Sequence, residues 1–130
     1  MLFRSVFAHV PMLTDIDYTS FFQNIGQLAL EVINDEEKLK KLQRLYWFTI
    51  EFGLMETANG NKIYGAGIIS SKNEMKNAFS NKSIKTNFNV VEIMNQDFRI
   101  DIVQEKYFVI ESFNQLASSL ENVREELFKN

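Results

Sequence analysis

The sequence contains no cysteine, one proline and one histidine among its 130 residues. Without cysteine the chain can form neither a disulfide nor a thiolate metal site, and such a composition suits the reducing cytoplasm. An excess of basic charge is missing as well, since the formal net charge is −3. We therefore expect no nucleic-acid partner, because proteins that bind nucleic acids usually present a basic face.

Long hydrophobic runs are also missing. The N-terminal stretch MLFRSVFAHVPML is apolar, but Arg4, His9 and Pro11 interrupt it. It has neither the basic start nor the small-residue cleavage site of a signal peptide. A membrane-spanning helix needs a run of roughly 18 apolar residues or more. We therefore expect a soluble, cytoplasmic protein with no membrane partner.

Apolar and aromatic residues are abundant. Hydrophobic residues make up 45% of the chain, with twelve Phe, four Tyr and one Trp. This is enough for a hydrophobic core, and the length corresponds to a single domain. Aromatic side chains suit a deep pocket but are equally common in ordinary cores.

Apolar residues at helical spacing predict that the first part of the chain is helical. Any helix through FRSVFAH ends near His9, because the residue before Pro11 disfavours helical geometry. The next helix is expected to start at Thr14, with Asp15 favourable in its first turn. Its predicted buried face consists of Phe21, Ile25, Leu28 and Val32.

Two more helices are predicted, one over about residues 35–52 and one from Ser112 to Phe128. Gly53 is the expected C-terminal stop of the first of them. In the helix over residues 35–52, the residues predicted to share one face are Leu39, Leu42, Tyr46 and Thr49. Leu45, Phe48 and Phe52 widen this face. The inward positions of the last helix are Phe113, Leu116, Leu120, Val123 and Leu127.

Small β elements are expected between these helices. Asn59-Gly60 separates two short apolar segments, which predicts a hairpin. Gly65 and Gly67 predict a loop whose backbone approaches another group closely. Ser71 and Glu74 predict a capping box for a further helix. One or two helical turns at NVVEIMNQ and a strand over FRIDIVQEKYFVI complete a fold that is mainly α with a small hairpin and strands.

Glu51 lies in the apolar stretch RLYWFTIEFGL. Burying an unpaired carboxylate is costly, so Glu51 must face solvent, pair with a cation or bind a metal. His9 by itself is compatible with a structural or surface role near a helix end. Gly65-Ala66-Gly67 lacks the spacing of a nucleotide-binding fingerprint. None of these features indicates a function by itself.

The segments AHVPML, LYWFTIEFGL and KIYGAGIISS, in this order, resemble the second half of the catalytic domain of the pterin-dependent aromatic amino acid hydroxylases. The similarity is greatest to bacterial-type phenylalanine 4-hydroxylases and runs from about Phe3 to near Phe128. The ESF segment after KYFVI also matches. The resemblance implies the C-terminal part of the hydroxylase catalytic fold, so residues 1–130 would be a single partial catalytic domain.

The resemblance further implies a monooxygenase that converts phenylalanine to tyrosine with O2 and tetrahydrobiopterin. Its non-haem Fe(II) would be held by two histidines and one glutamate, a facial triad with open positions. His9 matches the second histidine and Glu51 the carboxylate. Tyr46 matches a tyrosine beside the pterin. The positions that match the amino-acid pocket and its substrate-contacting loop are Trp47, Phe52, Gly67 and Ser70, with Ser70 near the substrate carboxylate.

The sequence departs from the family pattern at the first metal histidine, where Arg4 stands five residues before His9. A guanidinium stays protonated and has no lone pair, so it cannot bind Fe(II). The half of the family domain that supplies the pterin-stacking loop and the substrate-carboxylate arginine is not in this sequence. We therefore expect a truncated chain that is weakly active or inactive alone.

An alternative reading is a non-catalytic helical module for interaction or oligomerisation, derived from the enzyme. In that case Arg4 would pair with Glu51 across the former metal site. Apolar faces that the missing half would have covered predict self-association.

Overall fold

The computed structural model of the protein describes residues 15–129. Arg4, His9, the predicted helix end near His9 and the predicted helix start at Thr14 lie outside these residues. Helix α1 spans Ile16–Glu31, and the side chain of Asp15 caps it by accepting a hydrogen bond from the Tyr18 N–H at 3.1 Å. The predicted face is confirmed as buried: Phe21, Ile25, Leu28 and Val32 are each at most 4% exposed.

The predicted helix over 35–52 divides into two parts. Helix α2 covers Glu36–Tyr46 with Asp35 as its cap, and a π-helical segment covers Trp47–Glu51. The Thr49 hydroxyl donates to the Leu45 carbonyl at 2.7 Å, and such back-bonding perturbs the helical ladder. The Phe52 N–H donates to the Trp47 carbonyl at 2.9 Å, which closes the wider turn. π-Helical turns are rare in proteins, but those that occur are often found at functional sites.

Gly53 does not stop this helix in the predicted way. A glycine stop uses a left-handed conformation, and among the described residues the positive-φ position is Gly60 at 101°. Gly60 follows the turn of the hairpin formed by β1 (Leu54–Thr57) and β2 (Gly60–Ile63), which confirms the predicted hairpin. Glycine is needed at position 53 instead because a Cβ atom there would collide with the Tyr64 ring.

The sheet has four strands in the order β2-β1-β4-β3. Strands β3 (Ile84–Asn87) and β1 both pair in parallel with β4 (Lys106–Ile110), whose residues from Tyr107 onward are buried. The prediction of a strand over FRIDIVQEKYFVI is correct only for its second half, because residues 98–105 are irregular. Strand β3 was not predicted.

Short helices cover the sheet. The loop predicted at Gly65–Gly67 is wrong, since Gly65 caps a one-turn helix α3 (Ala66–Ile69). Helices α4 (Lys72–Ala78) and α5 (Val90–Met94) confirm the expected helical turns. The C-terminal helix is interrupted at Ser119 into α6 (Phe113–Ser118) and α7 (Leu120–Phe128). In the part of the chain that the structure describes, no helix combines the length and apolar character that a membrane span requires.

Candidate active site

Glu51 ends the π-helical segment and is half-buried. Burial, and next the charge and hydrogen bonding of Glu51, raise the pKa of the Tyr46 phenol. Within residues 15–129, no lysine or arginine forms an ion pair with Glu51. Of the three roles open to this carboxylate, pairing with a cation is therefore not met inside the described residues.

Two further phenols lie in the buried region next to Glu51. Tyr18 and Tyr64 are 0% and 5% exposed, and neither hydroxyl has a hydrogen-bond partner within the described residues. Burial raises the pKa of both, and the nearby Tyr46 and Glu51 raise that of Tyr18 further. These phenols therefore stay protonated near neutral pH, and each keeps a hydrogen that it can donate.

Three glycines let the backbone around Glu51 pack closely. A Cβ atom at Gly65 would lie 2.5 Å from the Glu51 carbonyl oxygen and 2.5 Å from the Gly53 nitrogen. One at Gly53 would lie 2.1 Å from the Tyr64 ring, and one at Gly67 would lie 2.7 Å from the Phe52 ring. The predicted close approach at Gly65 and Gly67 is therefore confirmed, and the group approached is the main chain of Glu51 together with Phe52.

We call the close approach of residues 65–67 to residues 51–53 the chain crossing. Trp47 forms an aromatic wall beside it. Its ring lies 4.5 Å from that of Phe52 and stacks on that of Phe98 at 4.4 Å with an interplanar angle of 13°. Its indole N–H donates to the Gln104 side-chain oxygen at 2.9 Å. Sequence reasoning missed Phe98 and Gln104, because the segment that contains them was taken for a strand.

Tyr46 and Trp47 also face an apolar cleft of about 380 Å³ between α1 and α2. Its other lining residues are Phe22, Ile25, Gly26, Ala29, Leu39, Leu42, Gln43 and Phe98. An apolar cleft with a few polar groups at its edge is the usual form of a small-molecule site.

The structure thus brings together most of the residues that the sequence pattern selected. Glu51, Tyr46, Trp47, Phe52 and Gly67 lie around one crossing of the chain, whereas His9 lies outside the described residues. Ser70 follows α3 directly, and its hydroxyl donates to the Gly67 carbonyl at 3.4 Å. The individual roles of these seven residues stay predictions.

The residues present do not complete an iron site. Within residues 15–129, no three histidine, cysteine, aspartate or glutamate side chains are grouped closely enough to hold a metal ion. The whole sequence contains a single histidine, so positions 4, 9 and 51 offer one imidazole and one carboxylate. A facial triad needs a second imidazole, so this chain alone does not supply a complete set of ligands.

Comparison with known proteins identifies relatives along nearly the whole chain. Residues 2–130 match the family described as biopterin-dependent aromatic amino acid hydroxylase. A phenylalanine-4-hydroxylase of Pseudomonas aeruginosa is 41% identical over 115 residues, which cover 88% of this chain and 43% of that relative.

Two solved structures of Chromobacterium violaceum phenylalanine hydroxylase are also similar. One, with bound Fe(III), has a TM-score of 0.87 and 38% identity, covering 96% of this chain and 46% of that one. The other, with iron and phenylalanine bound, has a TM-score of 0.83 and 40% identity, covering 90% and 44%. These similarities confirm the expected mainly helical fold with a small sheet. The chain spans less than half the length of these relatives.

Proposed function

Because the chain belongs to the biopterin-dependent aromatic amino acid hydroxylase family, we propose that it forms the C-terminal part of a phenylalanine 4-hydroxylase site. In this proposal residues 1–130 are one partial catalytic domain. The reaction is the Fe(II)- and tetrahydrobiopterin-dependent conversion of phenylalanine and O2 to tyrosine. Pterin and iron supply the redox chemistry in this family, and the protein orients the substrate and excludes water.

The observation that carries the proposal is the convergence around Glu51. Glu51 ends the π-helical segment beside the Tyr46 phenol, and the rings of Trp47 and Phe52, from the same stretch of chain, lie 4.5 Å apart. A carboxylate at the edge of an aromatic wall suits a metal-bound reaction centre next to an aromatic ring. Phenylalanine and iron occur together in one similar structure, which supports phenylalanine as the substrate.

Arg4 limits what this chain does alone. Its position matches the first metal histidine, and it can supply no lone pair. We therefore propose weak or absent hydroxylation by the isolated chain, with His9 and Glu51 as its remaining metal ligands. The proposed location is the cytoplasm, as the cysteine-free composition favours.

A chimera tests the proposed function separately from Arg4. The N-terminal half of the Chromobacterium violaceum relative, including the segment that matches residues 1–9 here, is joined to residues 10–130 of this chain. We expect tyrosine formation from phenylalanine that depends on tetrahydrobiopterin and is abolished by Glu51→Gln. The matched control is Glu56→Gln, the same change on an exposed strand residue, which should keep the activity. A folded chimera that makes no tyrosine contradicts the proposal.

Self-association is a second candidate property, favoured by exposed apolar residues near α1. Ile16, at the start of α1, is 83% exposed, and Leu30 and Ile33, at its other end, are 67% and 57% exposed; exposed apolar surface favours association. We expect the average mass in sedimentation equilibrium to rise with protein concentration. A monomer mass at every concentration, with one concentration-independent unfolding transition, contradicts self-association.

A further inference from the structure

Glu74 behaves differently from the capping residue that the sequence predicts. Ser71 does cap α4, because its hydroxyl accepts from the Glu74 N–H at 3.3 Å. The Glu74 carboxylate, however, turns inward and is only 7% exposed. Its hydrogen bonds come from the Tyr107 hydroxyl at 2.5 Å and the Gln104 backbone N–H at 3.1 Å.

This carboxylate is costly to bury. Within the described residues, no lysine or arginine forms an ion pair with Glu74, so neutral donors alone offset its desolvation. Burial, and next the hydrogen bond to Glu74, raise the pKa of Tyr107, so this phenol remains a donor at neutral pH. A buried acid without a counter-ion calls for a reason other than stability.

The buried carboxylate of Glu74 fixes the position of Gln104. Gln104 is 5% exposed, and all four of its polar groups are engaged. Its backbone N–H donates to Glu74, and its carbonyl accepts from the Asn77 side chain one turn further along α4. Helix α4 thereby fixes both peptide groups of Gln104.

The Gln104 side chain faces the opposite way, toward the aromatic wall. Its amide nitrogen donates to the Arg99 carbonyl at 2.9 Å, and its oxygen accepts from the Trp47 indole N–H at 2.9 Å. The two bonds fix which end of the amide meets Trp47, because only the oxygen can accept. Phe98, from the same segment, stacks on the indole ring.

We propose that Glu74 is a positioning residue for the amino-acid pocket: acting through Gln104, it fixes the orientation of the Trp47 indole. Glu74 itself touches neither Trp47 nor the cleft. Its role is to anchor the 98–104 segment so that Gln104 and Phe98 hold the indole from its edge and from its face. The ligand class that this wall would accept is an aromatic amino acid, and that part of the inference rests on the proposed function.

The experiment uses the only tryptophan of the chain as its probe. A ¹⁵N-labelled sample gives one indole N–H cross-peak, which reports the Trp47–Gln104 hydrogen bond without any ligand. Glu74→Gln leaves one acceptor oxygen where the carboxylate offers two to the Gln104 N–H and the Tyr107 hydroxyl, so we expect this cross-peak to shift and to exchange faster with solvent. Glu121→Gln, the same change at an exposed position on α7, should leave the cross-peak unchanged.

Phenylalanine binding gives the second readout, measured by calorimetry on the chimera with the Chromobacterium violaceum N-terminal half, which completes the proposed site. Glu74→Gln is expected to weaken binding about tenfold, the effect of losing one hydrogen bond to a charged acceptor. Gln104→Met removes the Trp47 partner directly and should give the same cross-peak signature. Glu74→Gln should add little in that background, because both changes act on one path.

The outcomes separate this inference from the proposed function. An indole cross-peak that is unchanged in Gln104→Met, or in a folded Glu74→Gln variant, overturns the positioning role. If Glu74→Gln does not fold, the Gln104→Met result decides. A folded chimera with the Chromobacterium violaceum N-terminal half that binds no phenylalanine contradicts the proposed function instead, whatever the cross-peaks show.

Discussion

A Gly65→Ala variant is expected to be destabilised by about 3 kcal/mol, at the upper end of typical overpacking costs. The added Cβ would lie 2.5 Å from both the Glu51 carbonyl oxygen and the Gly53 nitrogen. Both are main-chain atoms, so no side-chain rotation relieves the clash. The strain would fall on the main chain that positions Glu51, and chemical denaturation of the two proteins measures the difference in unfolding free energy.

Gly26→Ala is the matched control, and its effect should have the opposite sign. Gly26 lies inside α1, and a Cβ added there meets no atom within 4 Å. Glycine inside a helix costs about 0.5–1 kcal/mol relative to alanine, so this variant should be stabilised by a similar amount. Equal effects of the two substitutions would contradict the account of the chain crossing.

An Arg4→His variant is expected to bind Fe(II) about 100-fold more tightly than the wild-type protein, since even changes outside the ligand shell typically alter metal affinity 10- to 100-fold. The substitution removes a permanent positive charge and adds an imidazole lone pair. With His9 and Glu51 it would complete two histidines and a carboxylate. Anaerobic calorimetric titration with Fe(II) measures the affinity.

Arg4→Gln separates the two causes. It removes the positive charge but offers no imidazole, so it should recover only a small part of the gain. Equal affinities of the Arg4→His and Arg4→Gln variants would mean that position 4 does not supply a ligand.

Some features of the site were predictable because they depend on local pattern. The order of AHVPML, LYWFTIEFGL and KIYGAGIISS selected Tyr46, Trp47, Glu51 and Phe52, and the structure places these four together. The burial of the α1 face followed from helical spacing alone. The spacing of hydrophobic residues is enough to predict burial where the packing of a single helical face determines it.

Other features depend on contacts between distant segments. The requirement for glycine at position 53 comes from the Tyr64 ring across the hairpin, not from a helix stop. The inward turn of Glu74 depends on Gln104 and Tyr107, about thirty residues away. Ser71 alone behaved as its local motif indicates, because an N-cap is satisfied within one helical turn.

The strand predicted over residues 98–110 failed in its first half for a related reason. Its hydrophobic pattern is compatible with an extended strand, but Phe98 and Gln104 are held by Trp47 instead. Tertiary contact thus overrode local β propensity. Strand β3 was missed because it pairs in parallel with β4, and parallel pairing leaves no turn signal between neighbouring strands.

The central claim is that Glu51 is the carboxylate of a metal site, and Fe(II) affinity in the Arg4→His background tests it most directly. Adding Glu51→Gln to that variant should abolish the gain in affinity, while adding Glu56→Gln should leave it intact. Equal Fe(II) affinities of the Glu51→Gln and Glu56→Gln double variants would contradict the claim.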